Sequence, residues 1–271
     1  MRAVAGNLFR FPGRAGFVIL AGLLVAGCGD LTDRFSGDSG EPSSLRLADR
    51  AADQGDYETA ATLYRNEFTE NPDSVDALVG LGRSYRNLGQ TNRGEQALRE
   101  AVSRRGGDPR VLLELGRTQL GSGRAEEALE TLQRAHALEP RDLRIITARG
   151  IALDRLSRHE EAQDVYSDGL RIDPTDFALL GNLALSRGLS GDPEAGIRTM
   201  RELVRDSEAD GRTRGNLALL YGLAGRKNEA RATLAADLGD AEIEENIAYY
   251  RELRELLEAG RPIGEAAAGS A

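Results

Sequence analysis

Tryptophan is absent from this chain of 271 residues, and cysteine and lysine each occur once. A single cysteine cannot form a disulfide within the chain, and it is too few for a cysteine-based zinc fold. The formal net charge of −9 disfavours nucleic acid as a partner, because a polyanion is repelled by an acidic surface. The composition is instead rich in small and aliphatic residues, with 32 glycines and 40% hydrophobic content.

Histidine is also scarce, which limits the catalytic and metal sites that the chain can build. The run that starts at His159 (HEEAQ) begins like a zinc-protease motif, but Gln163 stands where the second histidine ligand must be. His136 is the only other histidine. No nucleophile elbow or phosphate-binding loop is present in the sequence. We therefore expect no catalytic residue, no metal ligand and no cofactor.

The most regular stretch runs from Pro109 to Asp142 and predicts two short amphipathic helices joined by a turn. A step of 34 residues from this unit reaches similar residues in both directions along the chain. Small residues recur where two helices would cross: Ala48, Gly82, Gly116, Gly150, Ala184 and Ala218. Turn residues recur where the first helix would end: Gly55, Gly89, Gly123, Ser157, Gly191 and Gly225. Large residues recur on the second helix: Tyr64, Leu98, Leu132, Tyr166, Met200 and Leu234.

This pattern resembles the tetratricopeptide-repeat family, in which hairpins of 34 residues stack into a solenoid. The resemblance implies an all-α, right-handed superhelix of about six helical hairpins over residues 45–244. A capping helix is expected over residues 245–259, and a disordered tail over 260–271. Arg149 departs from the pattern, because the other repeats have leucine at this position, and it predicts that the fourth repeat is the loosest joint.

Residues 1–27 are predicted to be a lipoprotein signal peptide, with arginines followed by the apolar run 17–26. The sequence then reads Val-Ala-Gly-Cys up to Cys28, which resembles the bacterial lipobox and implies a lipidated cysteine at 28. The alternatives are an ordinary signal peptide or a buried free cysteine. Residues 28–44 are polar and predict a flexible tether. Because Gly29 rather than aspartate follows the cysteine, the resemblance implies an outer-membrane anchor that faces the periplasm.

The tetratricopeptide-repeat resemblance also places certain positions of each first helix along a concave groove. We expect these groove positions to bind a protein partner, through cations in the first half and apolar side chains in the second. The candidate residues are Arg83, Arg86, Arg110, Arg117, Arg144, Ile151, Arg155, Leu185, Leu189, Leu219 and Leu223. The alternative is that the arginines form a solvated face and the leucines seal the next repeat. Use of the convex face instead also stays open.

The segments 181–191, 215–225 and 244–253 resemble the end of the TadD family, the lipoproteins of the tight adherence (Flp) pilus assembly system. The most distinctive match is the run Asn246–Arg251 (NIAYYR). This resemblance implies a pilotin-like adaptor that binds the outer-membrane secretin. One alternative is a type IV pilus pilotin or another outer-membrane assembly lipoprotein. Another is a regulatory subunit of a cell-wall hydrolase.

Overall fold

The computed structural model describes residues 43–261, and within this range it contains thirteen α-helices and no strand. The helices are α1 Ser43–Asp53, α2 Tyr57–Glu70, α3 Val75–Asn87, α4 Thr91–Arg104, α5 Pro109–Gly121, α6 Ala125–Leu138, α7 Leu143–Arg155, α8 His159–Leu170, α9 Phe177–Leu189, α10 Pro193–Leu203, α11 Gly211–Leu223, α12 Lys227–Leu234 and α13 Asp240–Glu258. The first twelve pair into six hairpins and α13 closes the stack, which confirms the predicted fold class.

The repeating small residues are required by close packing inside each hairpin. A Cβ atom added at Gly116 of α5 would lie 2.5 Å from Cγ of Leu132 on α6, and one at Gly82 would lie 2.4 Å from Cγ of Leu98. Real carbon atoms do not approach so closely, so any larger side chain would push the two helices apart. The small and large positions predicted from the sequence are therefore partners in one contact.

The turn between the helices of a hairpin repeats with the same backbone geometry. Gly123 has a φ angle of +75°, and four other glycines at the same repeat position are also left-handed. In the fourth repeat Ser157 takes this conformation, with a φ of +56°, and it is the only residue other than glycine with a positive φ among residues 43–261. A serine in the left-handed region is strained, because its Cβ atom crowds the backbone.

The first helix of several repeats begins at an aspartate whose side chain caps the helix. Asp108, Asp142 and Asp176 each accept a hydrogen bond from a backbone N–H in the first turn of α5, α7 and α9. Such caps satisfy N–H groups that the helix itself leaves unpaired. They fix where each first helix begins, and hence which residues face the groove.

The capping helix starts five residues before the predicted position, at Asp240 rather than at residue 245. The carboxylate of Glu242 accepts a hydrogen bond of 3.1 Å from the N–H of Gly239, and this contact stabilises the earlier start. None of the helices within residues 43–261 is both long enough and apolar enough to cross a membrane. The predicted signal peptide, Cys28 and nearly all of the predicted tether and tail lie outside the described residues.

Candidate partner-binding groove

Arg83 marks the start of the predicted groove and is not a free cation. Its Nη2 atom lies 3.0 Å from Oδ1 of Asp49 on α1 and 3.1 Å from the hydroxyl oxygen of Tyr64 on α2. Tyr64 donates its own proton to Asp49. Burial, together with this hydrogen bond to a carboxylate, raises the pKa of Tyr64. The three side chains form a neutral network that joins the first two repeats.

Arg86 and Arg117 share one carboxylate. Glu114 of α5 lies 3.3 Å from Nη2 of Arg86 on α3 and 3.0 Å from Nη1 of Arg117 on its own helix. The residue is 9% exposed, so its charge would be costly to bury without these two partners. This contact therefore joins the second repeat to the third.

Arg110 and Arg144 both pair with the aspartate that caps their own helix. Arg110 lies 2.9 Å from Asp108 and also reaches Asp76 of the preceding repeat at 3.3 Å. Arg144 lies 2.6 Å from Asp142, and this hydrogen bond lowers the pKa of the Asp142 carboxyl group. Both arginines are more than half exposed, so solvent screens these ion pairs strongly.

Arg155 differs from the other five arginines, because no carboxylate within residues 43–261 lies in ion-pair distance of it. Its Nη1 atom donates to the backbone carbonyl oxygen of Leu120, near the C-terminus of α5. Burial lowers its pKa. A cation is favoured at this place, because the carbonyl end of a helix carries partial negative charge.

The expectation of a cationic first half is corrected by these contacts. The six candidate arginines come with five carboxylates, so these groups together carry almost no net charge. The 34-residue spacing of the sequence identifies two of these acids. Asp49 precedes Arg83 by one repeat length, and Asp76 precedes Arg110 by the same length. The 34-residue step therefore pairs opposite charges as well as core residues.

The expectation of an apolar second half that is open to a partner is corrected in part. Leu219 is 2% exposed and Leu223 is 5% exposed, so a partner has almost no access to either of them. Both belong to the same core cluster as Ile247, Tyr250 and Leu253 of α13. The closing helix takes up the apolar face that a seventh repeat would otherwise cover.

Ile151, Leu185 and Leu189 stay half-buried at the groove positions of α7 and α9. Ile151 and Leu185 are separated by one repeat length, so they occupy equivalent places on neighbouring first helices. They are the candidate groove residues that combine an apolar side chain with access to a partner.

An open cavity of about 230 Å³ lies where the end of α11, the start of α12 and α13 meet. Its lining includes Gly222, Tyr250 and three cations, Lys227, Arg251 and Arg254. Pockets that hold cofactors or drug-sized ligands are generally larger than this. The cavity therefore has room for one side chain of a partner.

Within residues 43–261, neither histidine belongs to a group of side chains that could hold a metal ion. Nδ1 of His159 lies 2.8 Å from Oδ1 of Asp154. The same oxygen accepts a hydrogen bond from Ser186, and Oδ2 of Asp154 accepts one from Tyr166. Burial and the nearby charge of Arg149 lower the pKa of His136. Among residues 43–261, no three histidine, cysteine or carboxylate side chains meet at one point.

Arg149 is half-buried on α7, and its Nε atom has no hydrogen-bond partner within the described part of the chain. Burial lowers its pKa, because the surroundings favour the neutral form. A buried donor without a partner is destabilising. The looseness of the fourth repeat stays a prediction.

Comparison with known proteins agrees with this architecture. A family profile described as tetratricopeptide repeat matches residues 51–113 and 88–150. The chain has the tetratricopeptide-repeat fold. Among curated protein sequences, none matches this chain significantly.

Solved structures with the tetratricopeptide-repeat arrangement include the following three. A thermophilic repeat protein of Thermus thermophilus is 22% identical, with 65% of this chain and 96% of that chain aligned at a TM-score of 0.59. PilF of Pseudomonas aeruginosa is 17% identical, with coverages of 76% and 96% and a TM-score of 0.59. A repeat protein of Parabacteroides merdae is 16% identical, with coverages of 83% and 89% and a TM-score of 0.61. Likeness at these identities concerns the fold alone.

Proposed function

We propose that this chain is a non-enzymatic adaptor for the assembly of a tight adherence pilus. In this proposal it is anchored in the outer membrane through lipid on Cys28, faces the periplasm and binds the secretin subunit as a pilotin does. The fold supports the general part, because tetratricopeptide repeats are scaffolds for binding proteins. The specific part is supported by the lipobox at Cys28 and by the run Asn246–Arg251, which lies on α13.

The observation that carries the binding role is the half-buried row formed by Ile151, Leu185 and Leu189. These side chains keep apolar surface in contact with water, and covering it releases free energy. Because they are spaced along neighbouring helices, they suit an amphipathic helix or an extended segment with apolar residues on one side.

The paired arginines of the first half add selectivity. Exposed ion pairs contribute little to stability, and both side chains of the Arg110–Asp76 pair are about half exposed, so a partner carboxylate can replace Asp76 at small cost. A partner with an acidic stretch is then accepted. Recognition in this proposal therefore needs an apolar stretch followed by an acidic one.

The mechanism requires no covalent step. A secretin segment bound on the groove is removed from the pool that can aggregate, and it is concentrated at the membrane that holds the lipid anchor. The polar stretch of residues 28–44 would supply reach between the anchor and α1.

Deletion of the gene tests this proposal. Membrane fractionation should then show loss of secretin multimers from the outer membrane, and the wild-type gene should restore them. A second strain carrying Cys28→Ser should make the adaptor but lose both acyl labelling and outer-membrane multimers. Normal multimers in the deletion strain would exclude the pilotin role.

A further inference from the structure

Two arginines on different helices converge on one tyrosine, away from the groove. Nη2 of Arg65 on α2 lies 2.6 Å from the hydroxyl oxygen of Tyr85 on α3, and Nη2 of Arg93 on α4 lies 2.9 Å from it. The guanidinium carbon of Arg93 also lies 4.3 Å from the centre of the Tyr85 ring. Two positive groups are thus held close together against one phenol.

No carboxylate within residues 43–261 lies in ion-pair distance of Arg65 or Arg93. The sequence accounts for this, because no acid occupies the places three or four residues away on the same helices, where an ion-pair partner would lie. Those places hold Ala61, Thr62, Phe68 and Thr69 around Arg65, and Gly89, Gln90, Gln96 and Ala97 around Arg93.

Tyr85 adds a third donor to this cluster. Its oxygen accepts hydrogen bonds from both arginines, and its own proton has no acceptor within the described part of the chain. The ring is 6% exposed, so its position is fixed by packing. The cluster therefore combines three donor groups. Besides the phenol oxygen, its acceptor among the described residues is the neutral Oε1 of Gln90, which lies 2.7 Å from Nη1 of Arg93.

The sixth repeat has the same kind of tyrosine with its charges balanced. Tyr221 stands four repeat lengths after Tyr85, and the guanidinium carbon of Arg226 lies 4.7 Å from its ring centre. Arg226 pairs with Glu229 at 2.9 Å and with Glu194 at 3.4 Å. In the sixth repeat, carboxylates therefore neutralise the arginine that lies over the tyrosine ring. In the second repeat, no carboxylate among the described residues does so.

We propose that Arg65, Arg93 and Tyr85 form a binding site for a phosphate group. Guanidinium groups donate pairs of parallel hydrogen bonds that match phosphate oxygens, and a phosphate accepts from donors in several directions at once. The anion would also relieve the repulsion between the two arginines. The phosphate comes either as a free ion or as the headgroup of an anionic phospholipid.

The site is tested with the full-length chain in micelles of an uncharged detergent, at low ionic strength. Isothermal titration calorimetry measures the binding of inorganic phosphate, of glycerophosphorylglycerol (the soluble headgroup of phosphatidylglycerol) and of acetate. We expect at least one of the two phosphates to bind, and the one that binds more tightly identifies the source. The double change Arg65→Gln with Arg93→Gln should weaken that binding at least tenfold, and Tyr85→Phe should weaken it several-fold.

The matched control is Arg226→Gln, which removes an arginine from the balanced tyrosine of the sixth repeat and should leave phosphate binding unchanged. Circular dichroism checks that each variant is folded. If the double variant is unstable, Tyr85→Phe still tests the site, because it retains the packing of the ring. Absence of binding by both phosphates would overturn the proposal, as would binding that the Arg65, Arg93 and Tyr85 changes leave intact. Acetate binding as tight as that of the phosphates would also overturn it. The site lies outside the groove, so these results do not depend on the proposed role in pilus assembly.

Discussion

The two halves of the groove differ in how their candidate binding residues are satisfied. In the first half, arginines such as Arg83 and Arg117 pair with carboxylates of the same or the preceding repeat. In the second half, the leucines of α11 are removed from solvent by the closing helix α13. Between the two, Ile151 and Leu185 are neither paired nor fully covered. The difference indicates that the centre of the stack is the part available to an apolar partner.

The largest effect is expected at the closing helix, which covers the second half. Tyr250→Ala should lower the free energy of unfolding by about 3 to 5 kcal/mol, because it deletes a buried ring from the core. Tyr250 is 3% exposed and packs against Gly222 of α11. Urea denaturation followed by circular dichroism measures the loss.

Tyr249→Ala is the matched control for the closing helix, because the neighbouring ring is only half-buried. Its cost should be less than half of the cost of Tyr250→Ala. Equal losses for the two changes would mean that α13 does not depend on its contact with α11.

Leu185 of α9 and Leu219 of α11 occupy the same repeat position but differ in burial. Leu219→Ala should cost about 3 kcal/mol of unfolding free energy. Leu185→Ala should cost about 1 kcal/mol, because a half-buried leucine contributes less buried apolar surface to the folded state. Capture of the secretin from a membrane extract should show the reverse order, with the larger loss for Leu185→Ala. A stable Leu185→Ala protein that captures its partner normally would exclude the half-buried row as the binding surface.

The sequence predicted the parts of this structure that repeat. The contact of Gly116 with Leu132 and the left-handed turn at Ser157 both follow from a 34-residue step, because each repeat contacts its neighbours in the same way. The pairing of Asp49 with Arg83 follows from the same step, although the arginines alone suggested a cationic groove.

The parts that do not repeat could not be predicted in this way. Burial of Leu219 depends on where α13 lies, and α13 begins early because Glu242 caps it. The cluster around Tyr85 depends on side chains from three helices, and no repeat spacing links them. Sequence periodicity therefore predicts the stack, whereas its end and its surface sites require the structure.

A smaller effect is expected from reversing charge in the first half. Arg83→Asp should cost up to about 1 kcal/mol of unfolding free energy, because the pair with Asp49 is partly exposed and the new carboxylate faces the old one. The exchange Asp49→Arg with Arg83→Asp should recover most of this loss in urea denaturation. If the exchanged protein is no more stable than Arg83→Asp, the two residues do not interact.

The smallest effect concerns the aspartate that caps α11 in the second half. Although burial opposes it, hydrogen bonds from the Thr213 backbone and from Arg212 lower the pKa of Asp210 to about 2 from its ordinary value of 3.8. A carboxyl group whose pKa is lower in the folded state stabilises the protein above its ordinary pKa. That contribution is lost as the pH falls from about 4 to about 2.

Asp210→Asn keeps a capping oxygen but removes the charge. Because Asp210 is exposed, the variant should lose less than about 1 kcal/mol of unfolding free energy at pH 7, and the difference from wild type should vanish near pH 2. Asp164→Asn changes an exposed aspartate of α8 that has no ion-pair partner within residues 43–261, and it should show neither effect. Urea denaturation at pH 7, 4 and 2 follows all three proteins. A difference between wild type and Asp210→Asn that stays constant down to pH 2 would show that the charge of Asp210 does not stabilise the start of α11.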